Sequence, residues 1–147
     1  MKPLLYALLL IFAFFFFSAC EKQIMDNHQQ AAPLLHHPNQ WLLINYWAPW
    51  CHACQQEIPE LNQFYKLYGS HVLVYGVNYD MPSISELNSI AERMGIDFPL
   101  LTEDPASLLR LPNIEGLPIT FIFNPNGQLV KILKGPQNLS GLSDIVN

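Results

Sequence analysis

The sequence predicts an α/β fold in which a central mixed sheet is covered by helices on both faces. Two apolar strands alternate with two helical patterns between residues 41 and 94, as in parallel β-α-β units. A third strand, a turn at residues 124–127 and a returning strand follow, so an antiparallel hairpin completes the sheet. The 147 residues suffice for one such domain.

The first strand and the helix after it have the clearest patterns. Residues 41–47 are almost continuously apolar, which predicts a strand buried on both faces. Residues 55–68 follow a helical period, and we expect Pro59 to kink this helix. The predicted buried stripe of the helix comprises Cys54, Ile58, Leu61, Tyr65 and Tyr68.

The second strand and the second helix follow in order. Residues 71–77 form another apolar run, which predicts a buried strand. Residues 83–94 are predicted to be a helix, because Ser83 and Glu86 match a capping box and Gly95 suits a helix end.

The last third of the chain contains shorter patterns. Asp104 is the expected N-cap of a helix of one or two turns, and Pro105 fits its first position. Polar and apolar residues alternate in the last strand, as expected for the returning arm of a hairpin. The other predicted elements are an extended piece at 98–101, strands at 119–123 and 128–133, and a closing helix at 138–146.

Composition excludes several classes of function. The net charge is −5 and no cluster of Lys or Arg occurs, so neither nucleic acid nor an anionic lipid surface would meet a basic patch. The sequence also contains no Ser/His/Asp set, phosphate-binding loop, nucleotide motif or internal repeat.

Residues 1–20 have the features of an export signal. The apolar run at residues 4–17 is shorter than the roughly 20 residues of a transmembrane helix, but it fits the apolar region of a signal peptide. The following Ser18, Ala19 and Cys20 resemble a bacterial lipobox, in which the cysteine carries the lipid. We therefore expect a lipid anchor on Cys20. An ordinary cleaved signal peptide and an uncleaved anchor are the alternatives.

Residues 21–40 are predicted to be a flexible tether, because they are rich in Gln, Asn, His and Pro and show little periodicity. His28, His36 and His37 could form a metal patch, although polar linker residues are the simpler interpretation. The folded domain is then expected at residues 41–147.

Cys51 and Cys54 form the centre of the predicted site. A C-x-x-C pair between a buried strand and a helix start is typical of thiol–disulfide exchange. The helix N-terminus favours a thiolate on Cys51, the attacking thiol, and Cys54 would resolve the mixed disulfide. A zinc site is the alternative, but it normally needs four ligands and this pair supplies two. We expect no metal, and no cofactor besides the redox-active disulfide.

Three segments carry a resemblance to thioredoxin. Residues 47–54, WAPWCHAC, resemble its active-site strand and loop, and Pro59 matches the proline of the helix that follows. Residues 116–120, GLPIT, resemble the loop that bears its cis-proline. The resemblance covers residues 41–136 and implies the thioredoxin fold.

A subgroup is also indicated. Residues 54–61, CQQEIPEL, resemble the C-x-x-E-x-P-x-L continuation of the TlpA/ResA/DsbE-like family, and residues 77–117 resemble the strand–helix insert of that family. Asn45 falls where thioredoxin has a buried aspartate and this family has asparagine. Two features depart from the family: Ala53 replaces a frequent proline, and the N-terminal hairpin is short or missing at residues 31–40.

The resemblance implies roles for residues around the two cysteines. Glu57 would relay a proton for Cys54, unless it is a surface helix carboxylate. Pro118 would be a cis-proline that leaves the backbone of Leu117 facing the thiols to pair with an extended substrate, unless it is a trans turn proline. Trp50 would form an apolar wall beside the sulfurs.

Two further positions, Asn45 and His52, each have two possible roles. Asn45 could have a role near the thiols or bond to neighbouring backbone. His52 could be a cation that stabilises the thiolate or a solvated loop histidine. His52 and Ala53 together would tune the redox potential of the cysteine pair. Trp47 is expected in the core.

The resemblance implies an exported, membrane-anchored thiol–disulfide oxidoreductase on the periplasmic side of a bacterial membrane. Such proteins usually reduce disulfides in partner proteins, as in cytochrome c maturation, and are recharged by a membrane thiol-transfer protein. We expect a monomer. The alternatives are an oxidase that introduces disulfides and a copper-delivery module that uses Cys51, Cys54 and a histidine.

Overall fold

The computed structural model describes residue 34 and residues 39–146. The predicted export signal with Cys20 and most of the predicted tether, including its three histidines, lie outside the described residues. Among the described residues, no helix combines the length and the apolarity that a bilayer crossing requires.

Five strands form one mixed sheet, as the sequence predicts. Their order across the sheet is β3-β2-β1-β4-β5. The strands span Trp41–Trp47 (β1), Val72–Asn78 (β2), Leu100–Leu101 (β3), Ile119–Phe123 (β4) and Leu129–Lys134 (β5). β1 pairs in parallel with β2 and antiparallel with β4, so the strand that leads into the two cysteines lies at the centre of the sheet.

Four helices accompany the sheet. They span His52–Tyr68 (α1), Ile84–Met94 (α2), Ala106–Leu109 (α3) and Leu139–Val146 (α4). Helix α1 begins three residues earlier than the periodicity suggested and continues through Pro59. The predicted ends of α2 are confirmed, because Ser83 accepts the N–H of Glu86 and Gly95 is left-handed with φ 64°.

The predicted stripe of α1 is only partly right. Its buried side chains are Cys54, Glu57, Ile58, Leu61 and Phe64. Tyr65 and Tyr68 are only partly buried, because Phe64 faces the sheet in their place and stacks on Tyr68 at a ring distance of 4.9 Å.

The start of α3 also differs from the prediction. Pro105, not Asp104, is the N-cap residue. The carboxylate of Asp104 nevertheless accepts the N–H of Ala106 over 2.9 Å and the hydroxyl of Tyr46 over 2.6 Å. Because Tyr46 belongs to β1, this carboxylate also fastens α3 to the sheet.

Strand β5 lies at the edge of the sheet and is largely exposed. Its apolar Leu129, Val130 and Ile132 are between 37 and 42% exposed, so the alternation in its sequence does not produce a buried face. A register shift opposite Ile122 and Phe123 interrupts its pairing with β4.

Apolar side chains cover both faces of the sheet. Leu34 and loop residues after α3 pack against the face formed by Ile44, Tyr46 and Phe121. Helices α1 and α4 pack against the opposite face, around Leu43 and Ile122.

Gly76 is required where β2 runs beside β1, the strand that precedes the two cysteines. A Cβ atom there would approach the side chain of Leu100 to 2.5 Å and Trp47 Nε1 to 2.9 Å. The absence of a side chain therefore lets the Trp47 ring lie fully buried beneath the two cysteines, and its predicted place in the core is confirmed.

Candidate active site

Strand β1 delivers the chain directly to the two cysteines. Cys51 is the N-cap of α1, and its Sγ atom accepts the backbone N–H of Cys54 over 3.1 Å. The two sulfurs form a disulfide with an S–S distance of 2.04 Å. Cys51 is 7% exposed and Cys54 is 1% exposed, so Cys51, the predicted attacking thiol, is the more accessible of the pair.

An apolar cluster surrounds the disulfide. Trp47 at the end of β1 and the following Ala48 belong to this cluster, as do Leu87 and Ile90 of α2. Leu117, from the loop before β4, packs against the same cluster. A thiolate on the inner Cys54 would be poorly solvated here, so its ionisation requires a nearby proton acceptor.

Glu57 lies one turn after Cys54 and is 1% exposed. Its Oε1 atom accepts a short hydrogen bond from Asn45 Nδ2, and its Oε2 atom accepts the backbone N–H of Gln137 over 2.8 Å. Asn45 also donates to Thr120 Oγ1 over 2.9 Å. The alternative of a surface carboxylate for Glu57 is therefore wrong, and Asn45 bonds to side chains rather than to neighbouring backbone.

Burial sets the proton affinity of this carboxyl group. Loss of solvation raises the pKa of Glu57 from 4.5 to about 7, while the hydrogen bonds from Gln137 and Asn45 act in the opposite direction. The carboxyl group can therefore accept or give a proton near neutral pH.

Two residues of this network were missed by the sequence analysis. Thr120 belongs to the quoted GLPIT segment, but the resemblance assigned it no role. Gln137 contributes its backbone N–H, a group that every residue except proline carries, so no sequence signal identifies it.

The peptide bond between Leu117 and Pro118 is cis. The alternative of a trans turn proline is therefore wrong. The carbonyl of Pro118 accepts the N–H of Gly135 over 2.9 Å. A cavity of about 310 Å³ adjoins this loop; it is lined by Glu115, Gly116, Leu117, Pro118, Ile119, Lys134 and Gly135.

Trp50 is exposed rather than packed on the sulfurs. Its side chain is 64% exposed, and its Nε1 donates to Asp80 Oδ2 over 2.8 Å. The ring thus stands at the surface next to Cys51, held by the loop after β2, and the sequence analysis did not foresee Asp80.

His52 and Ala53 differ in their surroundings. His52 is exposed, and its Nε2 lies 3.3 Å from the side-chain nitrogen of Gln56, whereas Ala53 packs against the disulfide cluster. In the described part of the chain, no three His, Cys, Asp or Glu side chains gather as a metal site would require.

Comparisons with known proteins agree with this geometry. The profile of the AhpC/TSA family matches residues 16–132. The chain belongs to this family.

Two proteins similar in sequence to this chain are thiol-disulfide oxidoreductases named ResA. The one from Geobacillus kaustophilus is 33% identical over 95 residues, and these cover 64% of this chain and 54% of the relative. The one from Bacillus subtilis is 29% identical over 107 residues, which cover 72% and 59%. The chain thus spans little more than half the length of these relatives.

Solved structures show the same fold. StoA from Bacillus subtilis aligns with a TM-score of 0.63 and 21% identity, over 75% of this chain and 84% of its own. A thiol:disulfide interchange protein of the thioredoxin family from Chlorobium tepidum aligns with a TM-score of 0.64 and 24% identity, over 79% and 81%. The thioredoxin fold expected for this AhpC/TSA member is therefore confirmed.

The raised pKa of Glu57 predicts a pH-dependent stability. Between about pH 4.5 and 7 the folded state holds a proton on Glu57 that the unfolded state releases. The free energy of unfolding should therefore fall as the pH rises through this interval, by on the order of 2–3 kcal/mol from this group. Urea unfolding across this pH range measures the slope.

A matched pair of variants isolates this contribution. Glu57→Gln should lose this part of the slope. Glu60→Gln, which changes a carboxylate one turn further along α1, should keep it. A wild-type slope in Glu57→Gln would mean that another group carries the pH dependence.

Proposed function

We propose that the protein is an enzyme that exchanges disulfides with partner proteins through Cys51 and Cys54. One observation carries the proposal: the two cysteines form a disulfide at the start of α1, within a cluster that includes Leu117 of the cis-proline loop. The names of the ResA relatives, thiol-disulfide oxidoreductases, support it. The exchange needs no cofactor besides this disulfide.

The exchange proceeds in two steps. In the reduced protein, Cys51 attacks a sulfur of the partner's disulfide, and the other partner sulfur leaves as a thiolate. The N–H groups at the start of α1 stabilise the thiolate of Cys51, as the bond from Cys54 N to its Sγ illustrates. Cys54 then attacks Cys51 Sγ, which restores the disulfide and releases the partner.

The second step requires a proton acceptor, and Glu57 is placed for it. The thiol of Cys54 is buried in an apolar cluster, so its proton must leave to a group that is close and also shielded from water. Glu57 lies one turn away with a pKa of about 7, close to the pH at which such a transfer is efficient.

The cis-proline loop and Trp50 form the proposed partner-binding surface. An extended partner segment would pair with the backbone of Leu117 beside the disulfide. The exposed ring of Trp50, the residue before Cys51, offers a further apolar contact. His52 and Ala53, which lie between the two cysteines, tune the redox potential.

We further propose that the protein acts as a reductant. The buried carboxylate of Glu57 opposes a second negative charge on the nearby thiolates, so it favours the uncharged disulfide product. The partners would be oxidised proteins, as in cytochrome c maturation, and a membrane thiol-transfer protein would recharge the pair. The protein would act as a monomer.

The same proposal places the protein outside the cytoplasm, on the periplasmic side of a bacterial membrane. The signal-like residues 1–20 support export, and Cys20 would carry the lipid that anchors the domain. The part of residues 21–40 that precedes Leu34, which packs against the sheet, would then give the domain freedom to reach partners near the membrane.

The assignment of the two cysteines predicts a trapping result. Cys54→Ser leaves the attacking thiol but removes the resolving one, so Cys51 should accumulate a mixed disulfide with a disulfide-containing peptide. Mass spectrometry measures the adduct. Cys51→Ser should form none and should exchange no faster than the buffer thiols.

Both variants should be made with Cys20→Ser, since the chain contains three cysteines and the third would otherwise contribute adducts. An adduct on Cys54 in the Cys51→Ser variant as large as that on Cys51 would contradict the assigned roles.

The proposed direction predicts the reduction potential of the pair. We expect a value nearer to that of thioredoxin, about −270 mV, than to that of a strong oxidant, about −120 mV. Glu57→Gln should raise the potential, because it removes the charge that opposes the thiolates. Titration in dithiothreitol redox buffers measures both. A wild-type value near that of the strong oxidants would favour the oxidase alternative.

The lipid anchor predicts a separate outcome. Cys20→Ser should prevent incorporation of labelled fatty acid and move the protein from the membrane fraction to the soluble fraction. A variant with Ser18→Ala keeps the cysteine and serves as the control. Unchanged labelling and fractionation of Cys20→Ser would contradict lipidation.

A further inference from the structure

Two paths of hydrogen bonds lead from the buried carboxylate of Glu57 to the cis-proline loop. The first path runs through β1. Asn45 Nδ2 donates to Glu57 Oε1 and also, over 2.9 Å, to Thr120 Oγ1. Because Thr120 follows Pro118 by two residues, this path reaches the strand that begins at the loop.

The second path runs through the segment before α4. The backbone N–H of Gln137 donates to Glu57 Oε2 over 2.8 Å, and its side-chain Nε2 donates to the carbonyl of Gly135 over 2.8 Å. The N–H of Gly135 donates in turn to the carbonyl of Pro118 over 2.9 Å. The two amide groups of Gln137 therefore connect the carboxylate to the proline itself.

We propose that Gln137 is a positioning residue that couples partner binding at the cis-proline loop to the proton affinity of Glu57. The proposal rests on the disulfide exchange proposed above and concerns the timing of its second step. Gln137 is suited to this role because its backbone holds the carboxylate while its side chain holds the residue that is bonded to Pro118.

The direction of the coupling follows from the hydrogen bonds. A partner segment that pairs with Leu117 restrains the loop, and through Gly135 it also restrains Gln137. An N–H donor that is held more firmly stabilises the ionised form of Glu57 more than its protonated form. Partner binding should therefore lower the pKa of Glu57. Coupling between two sites is reciprocal, so a charged Glu57 also tightens the loop around the partner.

The coupled step is the release of the partner. The thiol of Cys54 gives its proton to Glu57, and the resulting thiolate attacks Cys51 Sγ. The bond between Cys51 and Cys54 forms as the bond between Cys51 and the partner sulfur breaks, and the partner leaves as a thiolate. A bound partner thus prepares the proton acceptor that its own release requires.

Among the groups around Glu57, Gln137 is the donor that is also bonded to Gly135, and through Gly135 to the cis-proline loop. Asn45 and Thr120 are neutral, and Cys54 precedes Glu57 on the same helix. Glu60, one turn further along α1, accepts the backbone N–H of the first residue of α4 over 2.8 Å. In the part of the chain that the structure describes, the one salt bridge joins β5 to the loop before β4, so no ammonium or guanidinium group is paired with Glu57.

A pair of matched substitutions tests the proposal. Gln137→Met keeps the length of the side chain and the backbone N–H, but it removes the bond to Gly135. Gln40→Met is the control, because Gln40 Nε2 also donates to a backbone carbonyl, that of Ser70, over 3.2 Å at the start of β1. Both glutamines are half-buried.

Exchange by the reduced protein is measured against pH with two disulfides. One is a peptide with an internal disulfide, which can pair with the loop, and the other is 2-hydroxyethyl disulfide, which has no backbone to pair. In the wild type and in Gln40→Met, the apparent pKa of exchange should be lower with the peptide, by on the order of half a pH unit or a factor of about three in rate. In Gln137→Met this difference should disappear. The proposal would be overturned if Gln137→Met kept the wild-type difference in apparent pKa between the two disulfides, or if Gln40→Met lost this difference as well.

Carboxyl carbon NMR separates this proposal from the proposed function. In the oxidised protein, which needs no exchange partner, Gln137→Met should raise the pKa of Glu57 and Gln40→Met should leave it unchanged. If the pKa of Glu57 is unchanged in Gln137→Met, the positioning role of Gln137 is contradicted, even if the variant exchanges disulfides at the normal rate. A wild type that exchanges neither disulfide would instead refute the proposed function.

Discussion

The burial of one carboxylate organises the region around the disulfide. A charged or polar group without solvent requires hydrogen-bond partners, and Glu57 finds them on two different elements. Asn45 in the central strand and the backbone of Gln137 before α4 each bind one oxygen. The positions of β1, α1 and the start of α4 are therefore fixed relative to one another, one helical turn from Cys54.

The same contacts assemble a site from distant parts of the chain. The disulfide lies on α1, the cis-proline precedes β4, and Gln137 lies near the C-terminus, 80 residues from Glu57. The mixed sheet makes this possible, because β1 pairs with β4 and brings Asn45 opposite Thr120. The register of these two strands thus sets the hydrogen-bond geometry around the Glu57 carboxylate as well as that of the fold.

The sequence predicts the local features of this structure well and the long-range ones poorly. The caps of α2, the burial of β1 and the cysteine pair follow from neighbouring residues, and the structure contains all three. The burial of Phe64 instead of Tyr65 depends on how α1 rotates against the sheet, which no single helix pattern determines. Gln137 was missed because a backbone N–H leaves no trace in the sequence.

The raised pKa of Glu57 gives a physical reason for a carboxyl group, rather than a neutral amide, at this position in the proposed exchange. Burial raises its pKa to about 7, so the folded state holds the ionised form at a free-energy cost as the pH rises. A glutamine would avoid that cost, but its NH2 group would face one of the two N–H donors that bind Glu57, and it could not accept the proton that the proposed step takes from Cys54. For the proposed exchange, stability at neutral pH and proton transfer therefore place opposite demands on Glu57, as is common at active sites. The two N–H donors lessen the conflict, because they stabilise the charged form of the carboxylate.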